Sequence, residues 1–255
     1  MCRDCGCSLG PTATRAPFAA QPAPQTATKG LHVESIEVIT AILDENDRVA
    51  AHNRSHFDAH GVLAINLMSS PGSGKTSLLE ASIKALAGEV RIGVIEGDLA
   101  TENDAARIRA CGVPAVQITT GNACHLDAQM VHDALHELPL AGLDVLFVEN
   151  VGNLVCPASF DLGVHRNLTL LSVPEGDDKP AKYPVMFRGA DLALITKVDL
   201  LPHIEEFSVT RARDSLRQVG FHGQIIELTR RGGPGFDAWL DWLRGEIAAR
   251  RAAAA

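Results

Sequence analysis

The chain has 255 residues, of which 46% are hydrophobic, so it can form one sizeable α/β domain with a tail. Its net charge of −8 and the lack of a basic stripe with interleaved aromatic residues argue against a nucleic-acid-binding surface. No apolar run approaches the roughly 18 residues of a membrane span, and the N-terminus lacks the apolar region of a secretory signal. We therefore expect a cytoplasmic protein, without nucleic-acid or membrane partners, whose six cysteines stay reduced.

The first seven residues form a cysteine head that is a candidate metal site. Cys2, Cys5 and Cys7 bring three thiols close together, and thiolates bind soft or borderline cations. If Met1 is removed, the α-amine of Cys2 could act as a fourth ligand in a square-planar site suited to Ni²⁺. The alternative is a reactive tail without function. Residues 8–30 are rich in Ala, Pro, Thr and Gln and lack acidic residues, which predicts a flexible linker.

Residues 31–255 are predicted to form one folded domain. A helical pattern between Ile36 and Phe57 predicts one or two helices, and apolar runs then alternate with amphipathic segments. This alternation is typical of an α/β fold of the P-loop NTPase type, with a mostly parallel sheet and helices on both faces, here preceded by a flexible metal-binding tail. The predicted strands are Val62–Met68, Val90–Ile95, Ala115–Thr119, Val145–Glu149, Leu168–Val173, Leu192–Thr196 and Gln224–Leu228, and the predicted helices are Thr76–Ala87, Thr101–Ala110, Cys124–Leu138, Ile204–Val219 and Phe236–Arg250.

A glycine-rich loop follows the first predicted strand and opens the next helix. The run from Ser69 to Ser77, SSPGSGKTS, predicts a P-loop, in which backbone N–H groups and a helix N-terminus face a polyphosphate. Lys75 would neutralise β and γ oxygens, and the Thr76 hydroxyl would ligate Mg²⁺. Ser69 stands where the motif has its first glycine, and the alternative is a Gly-rich turn without a ligand. The predicted nucleotide contacts in this loop are Gly72, Ser73, Gly74, Lys75, Thr76 and Ser77, of which Lys75 and Thr76 are also predicted to be catalytic.

The predicted strand that ends at Thr196 runs into Lys197-Val198-Asp199, which matches the [Asn/Thr]-Lys-x-Asp element of GTPases. The Asp199 carboxylate can accept two hydrogen bonds from guanine, and adenine offers no such pair. Lys197 would lie along the base and brace the P-loop. The alternative is a helix-capping Asp after a strand. With this element, residues 31–255 are predicted to be a P-loop GTPase domain that binds GTP.

Two acidic residues are candidates for catalysis beside the phosphates. Glu149 ends an apolar strand and Gly152 follows three residues later, so the acid could hold Mg²⁺ through water while the Gly152 N–H contacts a γ-phosphate. Many GTPases have Asp in place of this Glu. Asp98 follows another strand and is a candidate switch residue near Mg²⁺ or the attacking water, although an ordinary carboxylate at a strand end is an equal alternative.

A second candidate metal site lies inside the domain. Cys124 and His125 stand together at a predicted turn, and Cys156 lies four residues beyond Gly152, within one short loop of a residue that would sense the γ-phosphate. The alternative is that these cysteines belong to the core. Cys111 is expected to be a core or helix-end residue. His132 and His136 are expected to be mainly surface residues.

The motifs together resemble the HypB family, the nickel-inserting GTPase accessory proteins of [NiFe]-hydrogenase maturation. The resemblance rests on six segments in order, MCRDCGC, SSPGSGKTSLLE, VIEGDLATENDAARI, TGNACHLDAQMV, FVENVGNLVCP and LITKVDLLP. It covers the whole chain except the linker.

The resemblance implies a homodimerising GTPase, with a nickel chaperone and the hydrogenase large subunit as partners. It also implies a nickel site at Cys2, Cys5 and Cys7 and a second Ni²⁺ or Zn²⁺ site at Cys124, His125 and Cys156. Slow intrinsic turnover is expected, because no arginine finger or strong base is visible. The alternatives are a urease-type nickel accessory GTPase, which lacks this cysteine head, a P-loop kinase of small molecules, and a metal-binding module with a vestigial GTPase domain.

Overall fold

The computed structural model describes residues 28–99, 102–121, 123–229 and 232–253. The chain divides into two units, residues 1–39 and residues 40–255. The predicted head at Cys2, Cys5 and Cys7 and residues 8–27 of the predicted linker lie outside the described residues. The predicted linker extends to residue 30, but the first helix, α1, spans Thr28–His60. A formed helix is extended at little cost per residue, so it can begin before the apolar pattern does.

Seven strands form one sheet in the second unit, and every neighbouring pair is parallel. The strands are β1 (Leu63–Ser69), β2 (Ile92–Asp98), β3 (Ala115–Thr119), β4 (Val145–Glu149), β5 (Arg166–Ser172), β6 (Leu192–Thr196) and β7 (Gln224–Leu228). Their order is β3-β2-β4-β1-β5-β6-β7. The carboxyl ends of parallel strands are where such sheets bind ligands, and the candidate site residues follow β1, β2, β4 and β6 at that edge.

The remaining α-helices connect these strands. They are α2 (Lys75–Ala85), α3 (Asn103–Ala110), α4 (Ala128–Leu135), α5 (Lys179–Lys182), α6 (Pro184–Arg188), α7 (Val209–Gln218) and α8 (Pro234–Ala253). Short 3₁₀ helices span Leu140–Gly142, Cys156–Ser159, Val173–Glu175 and Val198–His203. Within the described ranges, no helix combines the length and apolar character that a membrane crossing requires.

The sheet is covered on both faces. Leu63, Ile65 and Leu67 of β1 pack in one apolar cluster with residues of α2 and α8, whereas Ala64 packs in a second cluster with residues of α4. Alternate side chains of a strand point to opposite faces, so these clusters lie on opposite sides of β1. The predicted α/β fold of the P-loop type, with a parallel sheet between helices, is confirmed.

Four strands, β3, β4, β6 and β7, have the predicted bounds, and two differences matter for the site. Strand β2 was predicted to end at Ile95, but pairing with β3 and β4 keeps the backbone extended as far as Asp98. Helix α4 was predicted from Cys124, but Asp127 caps it by accepting the Met130 N–H at 2.8 Å. Cys124 and His125 therefore lie in the loop before the helix.

The other helices differ from prediction at their ends. Helix α7 was predicted from Ile204 but begins at Val209, because the Ser208 side chain accepts the Arg211 N–H and caps the helix. Helices α2 and α3 are shorter than predicted, whereas α8 is longer at both ends. The pattern between Ile36 and Phe57 belongs to the single helix α1.

Candidate functional site: a phosphate loop beside a thiol–imidazole cluster

The glycine-rich loop turns between β1 and α2 on two glycines. Gly72 has φ 75° and Gly74 has φ 101°, a backbone region that residues with a Cβ rarely adopt. Gly74 occupies the N-cap position of α2, so Lys75 and Thr76 are its first residues. The N–H groups of this first helical turn lack intrahelical partners and carry the positive end of the helix dipole. The backbone is therefore shaped to receive an anion.

Lys75 is buried and held at both sides of its ammonium group. Its Nζ donates to Ser69 Oγ at 3.0 Å and lies 3.9 Å from Glu149 Oε1. Ser69 stands where the P-loop motif has its first glycine, and its hydroxyl serves as a hydrogen-bond acceptor for Lys75. The departure from the motif therefore keeps the loop intact and adds one contact to it.

Glu175, in the 3₁₀ helix that follows β5, supports the loop, a role that sequence reasoning missed. Its Oε1 lies 2.5 Å from Ser73 Oγ and 2.6 Å from Ser172 Oγ, and it accepts the Ser172 N–H. Ser73 Oγ also lies 2.8 Å from the Ser70 carbonyl. These contacts anchor the middle of the loop to a strand that neighbours β1. The only sequence signal was an acid three residues after Ser172, the spacing of a capping box.

Two carboxyl groups meet at the carboxyl ends of β2 and β4. Glu96 and Glu149 are register partners on these adjacent parallel strands, and both are buried. Burial, followed by the Glu149 charge, raises the pKa of Glu96 to about 11. Burial also raises the pKa of Glu149, although Lys75 opposes this. The Glu96 carboxyl is therefore neutral at neutral pH and donates to Glu149. Glu96 was not among the predicted site residues.

The donor set at this point fits a Mg²⁺ ion. Thr76 Oγ1 donates to Glu149 Oε1 at 3.0 Å, which places a hydroxyl and a carboxylate together. Glu96 Oε1 and Glu149 Oε2 are buried without a hydrogen-bond partner. Buried carboxylate oxygens without a donor are costly, and hard oxygen ligands are those that Mg²⁺ prefers.

A cavity of about 380 Å³ lies over the loop and these acids. The cavity is lined by Gly72, Lys75, Glu149 and Gly152, and by Asp98 at the end of β2. These residues, which were predicted to contact phosphate or to act beside it, thus lie around one cavity. Arg107 of α3 is also in its wall. The Arg107 guanidinium is held by Glu80 at 2.8 Å and by Asp104 at 2.8 Å.

The [Asn/Thr]-Lys-x-Asp element reaches the other side of the loop. Thr196 Oγ1 donates to the Ser73 carbonyl at 2.8 Å, and Lys197 Nζ donates to the Gly72 carbonyl at 2.6 Å. Lys197 braces the loop, as predicted, and is the one described non-glycine residue with positive φ, at 60°. A second cavity of about 700 Å³ is lined by Thr196, Lys197 and Ser77. Asp199 follows in the first turn of the 3₁₀ helix Val198–His203.

The three interior metal candidates converge. Cys124 Sγ lies 2.9 Å from Cys156 Sγ and 3.8 Å from His125 Nδ1, and the three ligand atoms lie within 4.8 Å of one another. Both cysteines are free, and all three residues are half-buried. The His125 ring stacks on Phe160 with ring centroids 4.0 Å apart. The predicted juxtaposition of these donors is confirmed, and their identity fits a borderline ion such as Ni²⁺ or Zn²⁺.

The local environment changes the pKa of two of these ligands. Burial lowers the pKa of His125, which keeps the imidazole neutral and able to bind metal. The hydrogen bond with Cys124 and burial raise the pKa of Cys156. Cys111 lies elsewhere, at the end of α3, where its thiol contacts the Arg107 carbonyl. It is a helix-end residue, as predicted.

One loop, residues 150–156, connects the two sites. A Cβ on Gly152 would lie 2.9 Å from the backbone of Pro71, so Gly152 packs directly against the phosphate loop. The next residue, Asn153, donates through Nδ2 to the Cys124 carbonyl at 3.1 Å. Asn150 is buried and accepts the Leu126 N–H at 3.2 Å. Neither asparagine was predicted to be a site residue, although both lie between Glu149 and Cys156, which were.

The sequence profile of the CobW/HypB/UreG nucleotide-binding domain matches residues 63–226. The hydrogenase maturation factor HypB of Cupriavidus necator is 47% identical, over 87% of this chain and 72% of the relative. That of Escherichia coli strain K12 is 53% identical, over 82% of this chain and 71% of the relative. The chain belongs to the HypB family.

Solved HypB structures share this fold. HypB from Helicobacter pylori, in complex with nickel, gives a TM-score of 0.77 at 39% identity, over 81% of this chain and 97% of the HypB chain. HypB from Archaeoglobus fulgidus gives a TM-score of 0.75 at 40% identity, over 80% and 100% of the two chains. The predicted HypB family resemblance is confirmed, and the chain contains the family's nucleotide-binding domain. The roles of individual site residues stay predictions.

Proposed function

We propose that this protein is a GTP-hydrolysing nickel metallochaperone of [NiFe]-hydrogenase maturation, in which the bound nucleotide controls how tightly the interior site holds its metal. The observation that carries the proposal is the loop of residues 150–156, which contacts the phosphate loop at Gly152 and supplies Cys156 to the thiol cluster. HypB relatives named as hydrogenase maturation factors and a relative solved in complex with nickel support it.

The first part of the proposal is GTP hydrolysis. The triphosphate lies over Gly72 and Gly74, Lys75 neutralises its β and γ oxygens, and Asp199 accepts the two guanine donors. Thr76 and Glu149 would hold a Mg²⁺ ion, which supplies charge neutralisation between the β and γ phosphates. Asp98 faces the same cavity and is suited to orient the attacking water. Turnover is slow, because the Arg107 charge is already shared with Glu80 and Asp104.

The second part is coupling. The Gly152 N–H senses the γ-phosphate, so loss of that phosphate moves residues 150–156 relative to Pro71. Because Asn153 is bonded to the Cys124 backbone, the movement changes the position of Cys156 relative to Cys124 and His125. A bound Ni²⁺ or Zn²⁺ then loses ideal ligand geometry and is released more readily.

The third part is dimerisation. The interior cluster offers three ligands, and a four-coordinate ion needs one more donor from water or a second copy. Val155, directly before Cys156, is 59% exposed, and Leu99 beside Asp98 is 44% exposed. Exposed apolar side chains at both sites favour a homodimer that forms over them. Released nickel passes to a nickel chaperone partner and the hydrogenase large subunit.

The proposal is tested by titrating Ni²⁺ and Zn²⁺ into the full chain with Cys2, Cys5 and Cys7 replaced by Ala. We expect the affinity of the interior site to differ about 5–150-fold between GDP and a non-hydrolysable GTP analogue. Turnover measured with GTP and with ATP distinguishes the proposed GTPase from a small-molecule kinase, which need not prefer guanine. Equal metal affinities in both nucleotide states, or turnover with ATP alone, would contradict the proposal.

A further inference from the structure

Five histidines gather on one face formed by α1 and α4, away from the thiols. His52, His56 and His60 follow one another at four-residue spacing on α1, and His132 of α4 has the same spacing to His136, the C-cap residue of that helix. This spacing places side chains on the same side of a helix. We call these five residues the histidine face. His132 and His136 were predicted to be mainly surface residues; His136 is exposed, whereas His132 is half-buried against α1.

Two of the three ring separations match those of imidazoles that share one ion, and the third, between His56 and His132, is longer. Ring centroids are 4.6 Å apart for His52 and His56, 5.1 Å for His52 and His132, and 5.7 Å for His56 and His132. Three imidazoles that bind one ion through nitrogens at about 2.0–2.1 Å have ring centres roughly 4.5–5.2 Å apart. His136 lies next to His132, with ring centroids 4.9 Å apart.

Two ligand atoms already face each other. His52 Nε2 and His56 Nε2 are 3.1 Å apart. Two nitrogens bound to one ion at about 2.0–2.1 Å stand roughly 3 Å apart when the angle between them is near a right angle. One metal ion between these nitrogens therefore needs little movement of the rings. His52 is exposed and can adjust its rotamer.

The third ring is held by a buried amide. Asn53 is fully buried, and its Nδ2 donates to the Ala128 carbonyl at 2.8 Å and the Leu162 carbonyl at 3.3 Å. This fixes the amide so that Oδ1 faces His132 Nδ1 at 3.0 Å. The oxygen can only accept, so Nδ1 carries the proton and Nε2 keeps its lone pair. A partner on the second ring nitrogen is typical of histidines that bind metal.

We propose that His52, His56 and His132 bind a borderline divalent transition-metal ion through imidazole nitrogens, with His136 beside them and solvent completing the coordination. Imidazole suits Ni²⁺, Zn²⁺ and Cu²⁺. The site differs from the cluster at Cys124 and Cys156 in having no sulfur ligand. It does not depend on the proposed function, because none of its residues belongs to the nucleotide site or the thiol cluster.

The test uses the full chain in a background without the candidate thiols, with Cys2, Cys5, Cys7, Cys124 and Cys156 replaced by Ala. Equilibrium dialysis with Ni²⁺ is expected to show about one bound ion per chain. Its absorption spectrum lacks a thiolate-to-metal band, because no cysteine is a ligand. Adding H52A and H56A together should weaken this binding at least about tenfold.

The matched control is H203A with H222A, two exposed histidines outside the face, which should leave Ni²⁺ binding unchanged. H132A, measured in the same background, should weaken binding as well and guards against a folding defect in the α1 variant. Thermal unfolding without metal shows whether each variant is folded. Absence of bound Ni²⁺ in the thiol-free background, or equal losses in the control and the H52A/H56A variant, would overturn the proposal.

Discussion

The phosphate loop and the thiol cluster are neighbours that are built in opposite ways. In the loop, Ser73, Lys75 and Thr76 are 1–7% exposed. Glu175 holds the Ser73 hydroxyl and Thr196 of β6 holds the Ser73 carbonyl. In the cluster, Cys124 and His125 lie in one loop, and Cys156, 32 residues after Cys124, ends a second loop; all three are half-buried. A site made by fixed backbone is ready before its ligand arrives, whereas a site made by side chains on loops changes when either loop moves. The proposed coupling uses this difference.

The sharpest way to separate the two regions is Lys75→Ala. The substitution removes the buried ammonium group that we propose to neutralise the phosphates, so we expect GTP turnover to fall about 10²–10³-fold. Metal affinity of the thiol cluster, measured with GDP, should stay unchanged, because no ligand is altered. Loss of turnover and metal binding together would mean that the two regions are not separate sites.

Cys156→Ala tests the other region and should have the next largest effect. Substitution of a residue that only supports a metal ligand lowers metal affinity about 10–100-fold. Loss of a ligand itself should therefore lower metal affinity at least about tenfold. The control is Cys111→Ala, at the end of α3 and outside the cluster. We expect turnover with GTP to persist in both variants. Equal metal affinities of the Cys156 and Cys111 variants would contradict the ligand assignment.

Glu96→Gln should have the smallest effect. An increase in the free energy of unfolding would identify Glu96 and Glu149 as a buried acid pair. The folded chain keeps Glu96 protonated, with a pKa of about 11 against an ordinary 4.5. Its contribution to stability is therefore full below about pH 4.5 and is lost as pH rises toward 11. Gln does not titrate, so at pH 8 without Mg²⁺ the variant should gain about 1–3 kcal/mol in unfolding free energy.

The acid pair also predicts how Mg²⁺ acts on stability. Addition of Mg²⁺ with GDP should raise the melting temperature of the unchanged chain more than that of Glu96→Gln, because the ion favours the ionised form of Glu96, which Gln cannot provide. Urea unfolding across pH 5–9 without Mg²⁺ measures the first effect, and thermal unfolding with GDP, with and without Mg²⁺, measures the second. A variant that is less stable than the unchanged chain at pH 8 would contradict the account of this pair.

The phosphate loop was predicted well from the sequence because its backbone geometry requires glycines at particular positions. Gly72 and Gly74 have the positive φ values that the motif requires, and the apolar run before them forms β1. The thiol and imidazole donors were also found, because Cys124 and His125 are adjacent and Cys156 lies four residues beyond Gly152. The end of β2 was missed, since polar Glu96 and Asp98 interrupt the apolar pattern while sheet pairing continues.

Residues whose roles depend on packing between distant segments were not predicted. Glu96 matters because β2 and β4 are adjacent, and Glu175 matters because β5 lies beside β1. His132 was predicted to be mainly a surface residue because the contact between α1 and α4 is not visible in either helix alone. The repeated four-residue spacing of histidines on α1 was the signal that could have drawn attention to that face.

The central claim, that loop 150–156 transmits nucleotide state to the metal, is tested most directly by Asn153→Ala. This variant keeps all phosphate contacts and metal ligands but removes two hydrogen bonds of the loop, the one to the Cys124 carbonyl and the one that Asn153 Oδ1 accepts from the Val155 N–H. Ser159→Ala, an exposed position in the turn that begins at Cys156, is the matched control. We predict that the ratio of Ni²⁺ affinities with GDP and a GTP analogue collapses toward one in Asn153→Ala and is kept in Ser159→Ala. An unchanged ratio in Asn153→Ala would contradict the claim.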